Sequence, residues 1–565
     1  MHECCDTAQE KLAVANQGTK YLLEHAEGLR KESQSTAHKQ LLTTVFLHRF
    51  TLTDAEIQAL TTRDVQVNRY LFSAMDHCER IRSDCAALLT GDLSPGEAET
   101  AGLDIMQATS KYLDKGYEKV MKWTLFECRA GLSKGEEGQL EVSLLMKKAI
   151  RRLNCRPELL DEALSVLSAT RSPALMNLFL DALTRGGPNG LPRPIELNAH
   201  DPIRYVGDML AWVHQTMASE HEFLESLFDL KSDGRRVGES RVFSPNENRK
   251  RVRTLLDKHM EGCGRPLKIR VYQTIKSQEG SIIAYQLATL LDFYKATMAN
   301  TIGPDSLLTK TLTEITADAY ESFYQILASL SARHMRYIEQ PPVDLSVPAT
   351  LTEAMSNLRE IMTIYNDTSP EDTAAASFDR VLDMTVDPTL ELIVKMADLR
   401  ASEWDKSIFW VNCLEYMIAT LTLFAFTQSK KEVLEGLLKK HTSLLIQEHF
   451  HHLLNSSGLQ PITEALDTKA EDIPLSRMDA TSSKQISLAM RQFDNFLAHL
   501  DTLVSPRLVL LSSTKNSSHV HQDSLALVTS AYGRIWDAVM DPKNRYEFAS
   551  TLLIRSKEEV KTLTG

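Results

Sequence analysis

Apolar residues recur along this chain at the three- and four-residue spacings of helices, and no segment alternates with period two over a useful length. Between residues 6 and 35, Ala8, Leu12, Ala15, Thr19, Leu22, Ala26 and Leu29 follow one another at intervals of 4-3-4-3-4-3. That is a heptad seam of just over three repeats, with Glu10, Lys11, Lys20, Glu24 and Arg30 off it. Several seam positions are small or polar, so the helix alone makes a weak coiled coil. A partner strand is expected to complete it, which makes Leu12, Leu22 and Leu29 the candidate partner-binding residues. The competing expectation is that the seam folds back on its own bundle.

The helical pattern continues from Lys39 to Thr184. Thr53-Asp54-Ala55-Glu56 is a capping box. Helices are expected over 64–90, 96–130, 137–153, 157–168 and 173–185, the last begun by Ser172-Pro173. Tyr112, Tyr117, Trp123 and Phe126 fall as core and groove packing. Val206, Leu210, Val213, Met217, Leu224 and Phe228 make one apolar stripe; Ile283, Leu287, Leu290, Tyr294 and Met298 make another. Glycine and proline predict a pause at 261–266 between those two. Leu525, Val528, Tyr532, Ile535 and Val539 form the last stripe.

Proline and glycine gather at two linkers, 186–201 and 340–348. At the first, Gly186-Gly187-Pro188 stops a helix, Pro192 and Pro194 hold an extended segment, and Asp201-Pro202 restarts a helix with Asp as N-cap. Helical material on both sides makes this stretch the expected articulation of the chain. The expected order is a 1–35 coiled-coil segment, a 36–186 N-terminal bundle, the 187–201 joint, a 202–339 middle bundle, the 340–348 linker and 349–565 C-terminal bundles.

This joint carries a resemblance. TRGGPNGLPRPIELNAHDPIRYVGDMLAWVHQTMASE, residues 184–220, resembles the signature of the sixth-subunit family of the conserved oligomeric Golgi complex, a vesicle tether. YEKVMKWTLFECR (117–129), GCGRPLKIRVYQTI (262–275), LLDFYKATM (290–298), LTLFAFTQSKKEVLEG (421–436), MRQFDNFLA (490–498) and AYGRIWDAVMDPKNRYE (531–547) match the same family. The likeness covers nearly the whole chain from Leu103 onward. It implies an all-α, elongated rod of stacked helical bundles with a short N-terminal coiled coil. It further implies a non-enzymatic subunit, peripheral on the cytosolic face of the Golgi membrane, that tethers vesicles in retrograde intra-Golgi traffic and helps retain glycosylation enzymes. The partners implied are the fifth, seventh and eighth subunits and Golgi SNARE proteins. Family members generally start with a longer coiled coil, so part of that region is expected to be missing here.

Composition narrows the alternatives. The 565 residues suit roughly three or four domain-sized units, and 43% apolar with 24% charged residues is ordinary for a globular chain. A net charge of −12 argues against a nucleic-acid binder, which needs a basic face. Eight cysteines form no C-x-x-C pair, and Cys78 and Cys85, two turns apart on one helix, are too far for a disulfide there. Reduced thiols in a cytosolic protein are expected. The start, MHECCDTAQEKL, lacks the apolar core of a signal peptide. Ile408–Phe426 is nearly long enough to span a bilayer, but Glu415 near its middle and Asn412 favour a helix buried in a bundle. Lys231–Arg253 holds eight basic and three acidic residues. A solvated loop is expected over 231–247, with anionic lipid or an acidic partner as the alternative contact and Ser240 and Ser244 as weak phosphorylation candidates.

No chemistry rises above this background. There is no P-loop, dinucleotide fingerprint, H-E-x-x-H or G-x-S-x-G, so neither a catalytic residue nor a cofactor is assigned. His449, His451 and His452 are the densest ligand-type cluster, but they lack partners at metal spacing and fit helix-end histidines better. Paired carboxylates such as Glu136-Glu137 are expected in loops or on solvated faces. A helical-solenoid adaptor of another traffic complex is the alternative, and it would need a repeat of about 35–45 residues that is not found.

Overall fold

The computed structural model describes residues 1–62, 66–89, 97–130, 142–187, 190–230, 245–336, 338–368, 375–468, 474–499 and 507–564. Among these the fold is all-α, with short 3₁₀ turns and no strand. The first helices are α1 (His2–Phe50), α2 (Asp54–Thr61), α3 (Arg69–Leu89), α4 (Glu97–Ala130), α5 (Leu144–Leu153) and α6 (Pro157–Thr184). Past the joint come α7 (Pro202–Leu227), α8 (Pro245–Lys276), α9 (Ser281–Ile302) and α10 (Leu307–Arg336). The rest are α11 (Ala349–Thr368), α12 (Ala375–Asp398), α13 (Glu403–Leu421), α14 (Gln428–Ser457), α15 (Gln460–Asp467), α16 (Ser483–Ala498), α17 (Thr514–Met540), α18 (Ala549–Leu552) and α19 (Lys557–Thr564).

The chain forms two compact units. The first holds Met1–Leu197, Asp208–Leu267 and Ala296–Thr311; the second holds Asn198–Gly207, Lys268–Lys295 and Leu312–Gly565. In the second unit one core gathers α11–α13 and the start of α14, and another gathers the end of α14 with α16, most of α17 and α19.

Local signals act as their chemistry requires. Thr53 Oγ1 accepts from Glu56 N, and Thr53 N donates to Glu56 Oε2, which closes the capping box of α2. Asp201 Oδ1 accepts from Arg204 N at 3.2 Å, so Asp201 caps α7 directly ahead of Pro202. In the joint, Gly186 has φ +80°, and Gly187 N donates to Pro192 O at 2.9 Å. A Cβ on Gly187 would overlap Leu191 O, so only glycine fits that turn. Pro188 and Asn189 lie outside the described residues.

Two expected breaks are absent, and a further helix contains a proline. Residues 157–168 and 173–185 form the single helix α6, with Pro173 inside it. Leu160, Leu164 and Leu167 before the proline, and Leu175, Phe179 and Leu183 after it, are all buried. Each such burial contributes about 1.5–3 kcal/mol, which outweighs the roughly 3 kcal/mol that an interior proline costs. The pause at 261–266 is also missing: α8 runs through Gly262 and Pro266. Gly262 is small because α6 crosses there, and a Cβ would stand 3.1 Å from Ser172 O and 3.2 Å from Met176 Cβ. Pro388 lies within α12 and cannot donate to Met384 O; the Ser331 hydroxyl donates to that carbonyl instead, at 3.3 Å.

Residues 408–421 of the apolar 408–426 segment lie in α13, the rest form a turn that leads into the 3₁₀ helix Ala425–Thr427, and no described helix is long and apolar enough to cross a membrane. Its polar residues serve packing. Asn412, only 1% exposed, donates to Leu345 O and Leu510 O, both at 2.9 Å, and accepts from Ser512 N at 2.8 Å. Asn412 thereby ties the 340–348 segment and the 508–512 turn to α13. Arg400 holds the same segment through Pro341 O and Pro342 O. Glu415 pairs with Asn516; burial raises its carboxyl above the usual range, against hydrogen bonds from Ser513 and Asn516.

Candidate interaction surface

The N-terminal seam lies on a helix longer than its 6–35 pattern predicts. α1 continues to Phe50, and at 49 residues it extends about 74 Å. Among the described residues it docks only at its C-terminal end, where Phe50 is buried with Ile81 and Cys85 and Arg49 Nε meets Asp84 Oδ2 at 2.8 Å. Every earlier residue of α1 is exposed. Leu12, Leu22 and Leu29 are 62%, 65% and 57% exposed and share one face by heptad spacing. The seam between them is thin: Ala8, Ala15 and Ala26 are small, and the Thr19 hydroxyl turns back to Ala15 O at 2.7 Å. Two apolar stripes meeting along such a seam would bury the leucines, while one stripe alone leaves them in water. The chemistry on offer is therefore association.

A polar cluster that the motif search did not find lies inside the first unit. Glu220 on α7 is 2% exposed; it accepts from Arg171 of α6 and from His259 Nδ1 of α8, the latter at 3.1 Å. Burial pushes the Glu220 carboxyl up, but the hydrogen bonds from His259 and Arg171 and their charge hold it below its ordinary value. The signal was present in the sequence, since Glu220 stands three residues after Met217 and four before Leu224, on the buried stripe itself. Nearby, Trp212 is half-buried and packs on Phe179 with ring centroids 5.1 Å apart.

The histidine cluster is not an exposed helix end. His449 is fully buried between the two cores of the second unit and shares a 3.0 Å hydrogen bond with His521 of α17. Its ring stands edge-on to Trp404 at 5.6 Å. No group of three or more His, Cys, Asp or Glu side chains among the described residues could hold a metal ion. Burial, with His521 and His452 adding to it, pushes His449 down to about 4 from its ordinary 6.5. The unfolded chain therefore takes up this proton first. Stability is full above about pH 6.5 and falls as pH drops towards 4, by a total on the order of 3 kcal/mol. Urea melts over that range should show the loss, and His449→Phe should flatten it; an unchanged slope in the variant would place the titration elsewhere.

The remaining candidates separate. Tyr117 is buried as core, whereas Phe126 is 67% exposed, because α4 turns Val120, Met121, Thr124 and Cys128 inward and leaves 126 outside that arc. The cysteines are free thiols, and burial raises Cys78 to about 11 and Cys128 and Cys263 to about 12. Residues 231–244, with Ser240 and Ser244, lie outside the described residues, as does Glu136-Glu137.

Comparison with known proteins places this helical scaffold. The family model described as "Conserved Oligomeric Golgi complex subunit 6, C-terminal" matches residues 99–564. The chain belongs to the subunit 6 family of the conserved oligomeric Golgi complex. A model for the N-terminal part of the same family matches residues 1–63, which covers all of α1. The family's subunit from Cryptococcus neoformans is 44% identical over 99% of this chain and 76% of its own length. Those of Bos taurus and Homo sapiens are each 33% identical, over 100% and 97% of this chain and 83% and 81% of their own lengths. Among solved structures, S. cerevisiae Exo70 aligns with 93% of this chain and 98% of its own at a TM-score of 0.47 and 10% identity.

Proposed function

We infer that the chain is a non-enzymatic subunit of the conserved oligomeric Golgi tethering complex. The observation that carries this is the near-complete match to subunit 6 family members, 44% identical over 99% of the chain. It acts in retrograde vesicle tethering within the Golgi, peripheral on the cytosolic face of the membrane, and so keeps glycosylation enzymes in place. Its partners are other subunits of the complex, the fifth, seventh and eighth among them, together with Golgi SNARE proteins. Leu12, Leu22 and Leu29 form the seam through which the subunit joins its complex, and the exposure of α1 supports this.

Removal of the protein from its own cells tests the reading. Golgi glycosyltransferases should spread from their normal cisternae and cell-surface glycans should be truncated. Re-expression should restore both. Normal glycans and normal enzyme positions after complete deletion would overturn it.

A further inference from the structure

One strip of the second unit, near the C-terminal end of the chain, carries exposed apolar side chains among exposed cations. Tyr546 OH donates to Thr481 O at 2.8 Å, and Arg555 Nε donates to Asp494 Oδ1 at 2.9 Å. Residues 546–555 therefore run alongside α16 and in the same direction. Phe548 and Ile554 on this segment are 70% and 48% exposed, and Leu488 on the outer ridge of α16 is 55% exposed. Lys484 and Arg491 stand four residues before and three after Leu488, on that same ridge.

The cations are not spent on ion pairs. Arg477, Lys484, Arg491, Lys543 and Arg545 are all exposed, and none of them pairs with a carboxylate among the described residues. Asp494 is taken by Arg555, and Asp541 accepts from Lys543 N, which leaves Asp479 and Glu547 as the exposed acids of the strip. This basic excess stands out in a chain whose net charge is −12. Arg545 has φ +59°, a left-handed conformation that suits glycine and disfavours an arginine. Asn544, 2% exposed, anchors that turn by donating to Ala538 O at 2.6 Å, while Arg545 beside it stays in solvent. The turn holds a cation outward where packing asks for none.

The arrangement decides what fits. A partner helix needs a groove or one continuous apolar stripe, whereas Leu488, Phe548 and Ile554 sit on separate elements with cations between them. Single apolar tips flanked by cations suit an anionic bilayer, where the tips enter the headgroup layer and the cations meet its charge. We propose that Leu488, Phe548 and Ile554, with Lys484, Arg491 and Arg545, form a docking surface for an anionic lipid membrane. It rests on the peripheral-membrane reading and names the surface that meets the lipid.

The test is sedimentation of the purified full chain with vesicles of phosphatidylcholine alone or of equal parts phosphatidylserine and phosphatidylcholine. The chain should bind the acidic vesicles, less so as salt rises, and not the neutral ones. Phe548→Asp and the pair K484E/R491E should each weaken binding by about tenfold or more. Arg545→Gly should hold or raise the melting temperature, because glycine fits the turn, yet weaken binding several-fold. K439E/K440E, the same charge change at exposed positions on α14, should leave binding as it was. All the changed residues are exposed, so circular dichroism should show no loss of fold. Equal binding of neutral and acidic vesicles, no effect of the strip variants, or an equal loss in K439E/K440E would overturn the proposal. A chain that restores normal glycans to deleted cells but does not bind acidic vesicles would also overturn it, and would leave the tether reading intact.

Discussion

Glu220→Gln should destabilise the first unit by about 3–5 kcal/mol, a large share of a typical folding free energy. The carboxylate is what lets Arg171 and His259 sit inside a three-helix contact, with side chains only 11% and 0% exposed. Glutamine keeps the shape but removes the charge, which leaves the guanidinium buried without a counter-ion. Urea denaturation of the unit should show the loss. The triple replacement Glu220→Leu, Arg171→Met, His259→Leu should recover most of it, because a packed apolar cluster needs no ion pairing. A cost below about 1 kcal/mol for Glu220→Gln would mean that the cluster is solvated and holds nothing together.

Asn412→Ala should cost the second unit about 3–5 kcal/mol, since it strands two carbonyls and one N–H at about 1–3 kcal/mol each, with some of that offset by relaxation. Asn412→Asp is the sharper comparison. It still accepts from Ser512 N, but it turns carboxylate oxygen towards Leu345 O and Leu510 O, where the amide donated. Aspartate should therefore be at least as damaging as alanine, despite its nearly equal volume. Hydrogen exchange should rise first in 340–348 and 508–512. A tolerated aspartate would contradict the clamp.

Much of this architecture is legible from periodicity, and what is missed has physical causes. The stripes at 206–224 and 525–539 emerge as buried helix faces because nothing local opposes them. Pro173 and Pro266 read as breaks because their local cost is visible in the chain, while the compensation comes from residues far away: the buried leucines of α6 and the α6–α8 crossing at Gly262. His449 misleads in the same way. A run of histidines near a helix end suggests a solvated cap, but its environment is set by Trp404 and His521, distant in sequence. Glu220 was the recoverable miss, a charge in register with Val213, Met217 and Leu224. The seam at Leu12, Leu22 and Leu29 is legible as spacing alone, because no described residue of the chain packs on it.

If this subunit joins its complex through that seam, removing the seam's leucines should release the other subunits. Tagged wild-type protein and L12D/L22D/L29D should be purified from the same cells and everything bound to each identified by mass spectrometry. The wild type should bring down the other subunits of the conserved oligomeric Golgi complex, and the variant, with unchanged circular dichroism apart from α1, should not. A variant that retains the full set would contradict it.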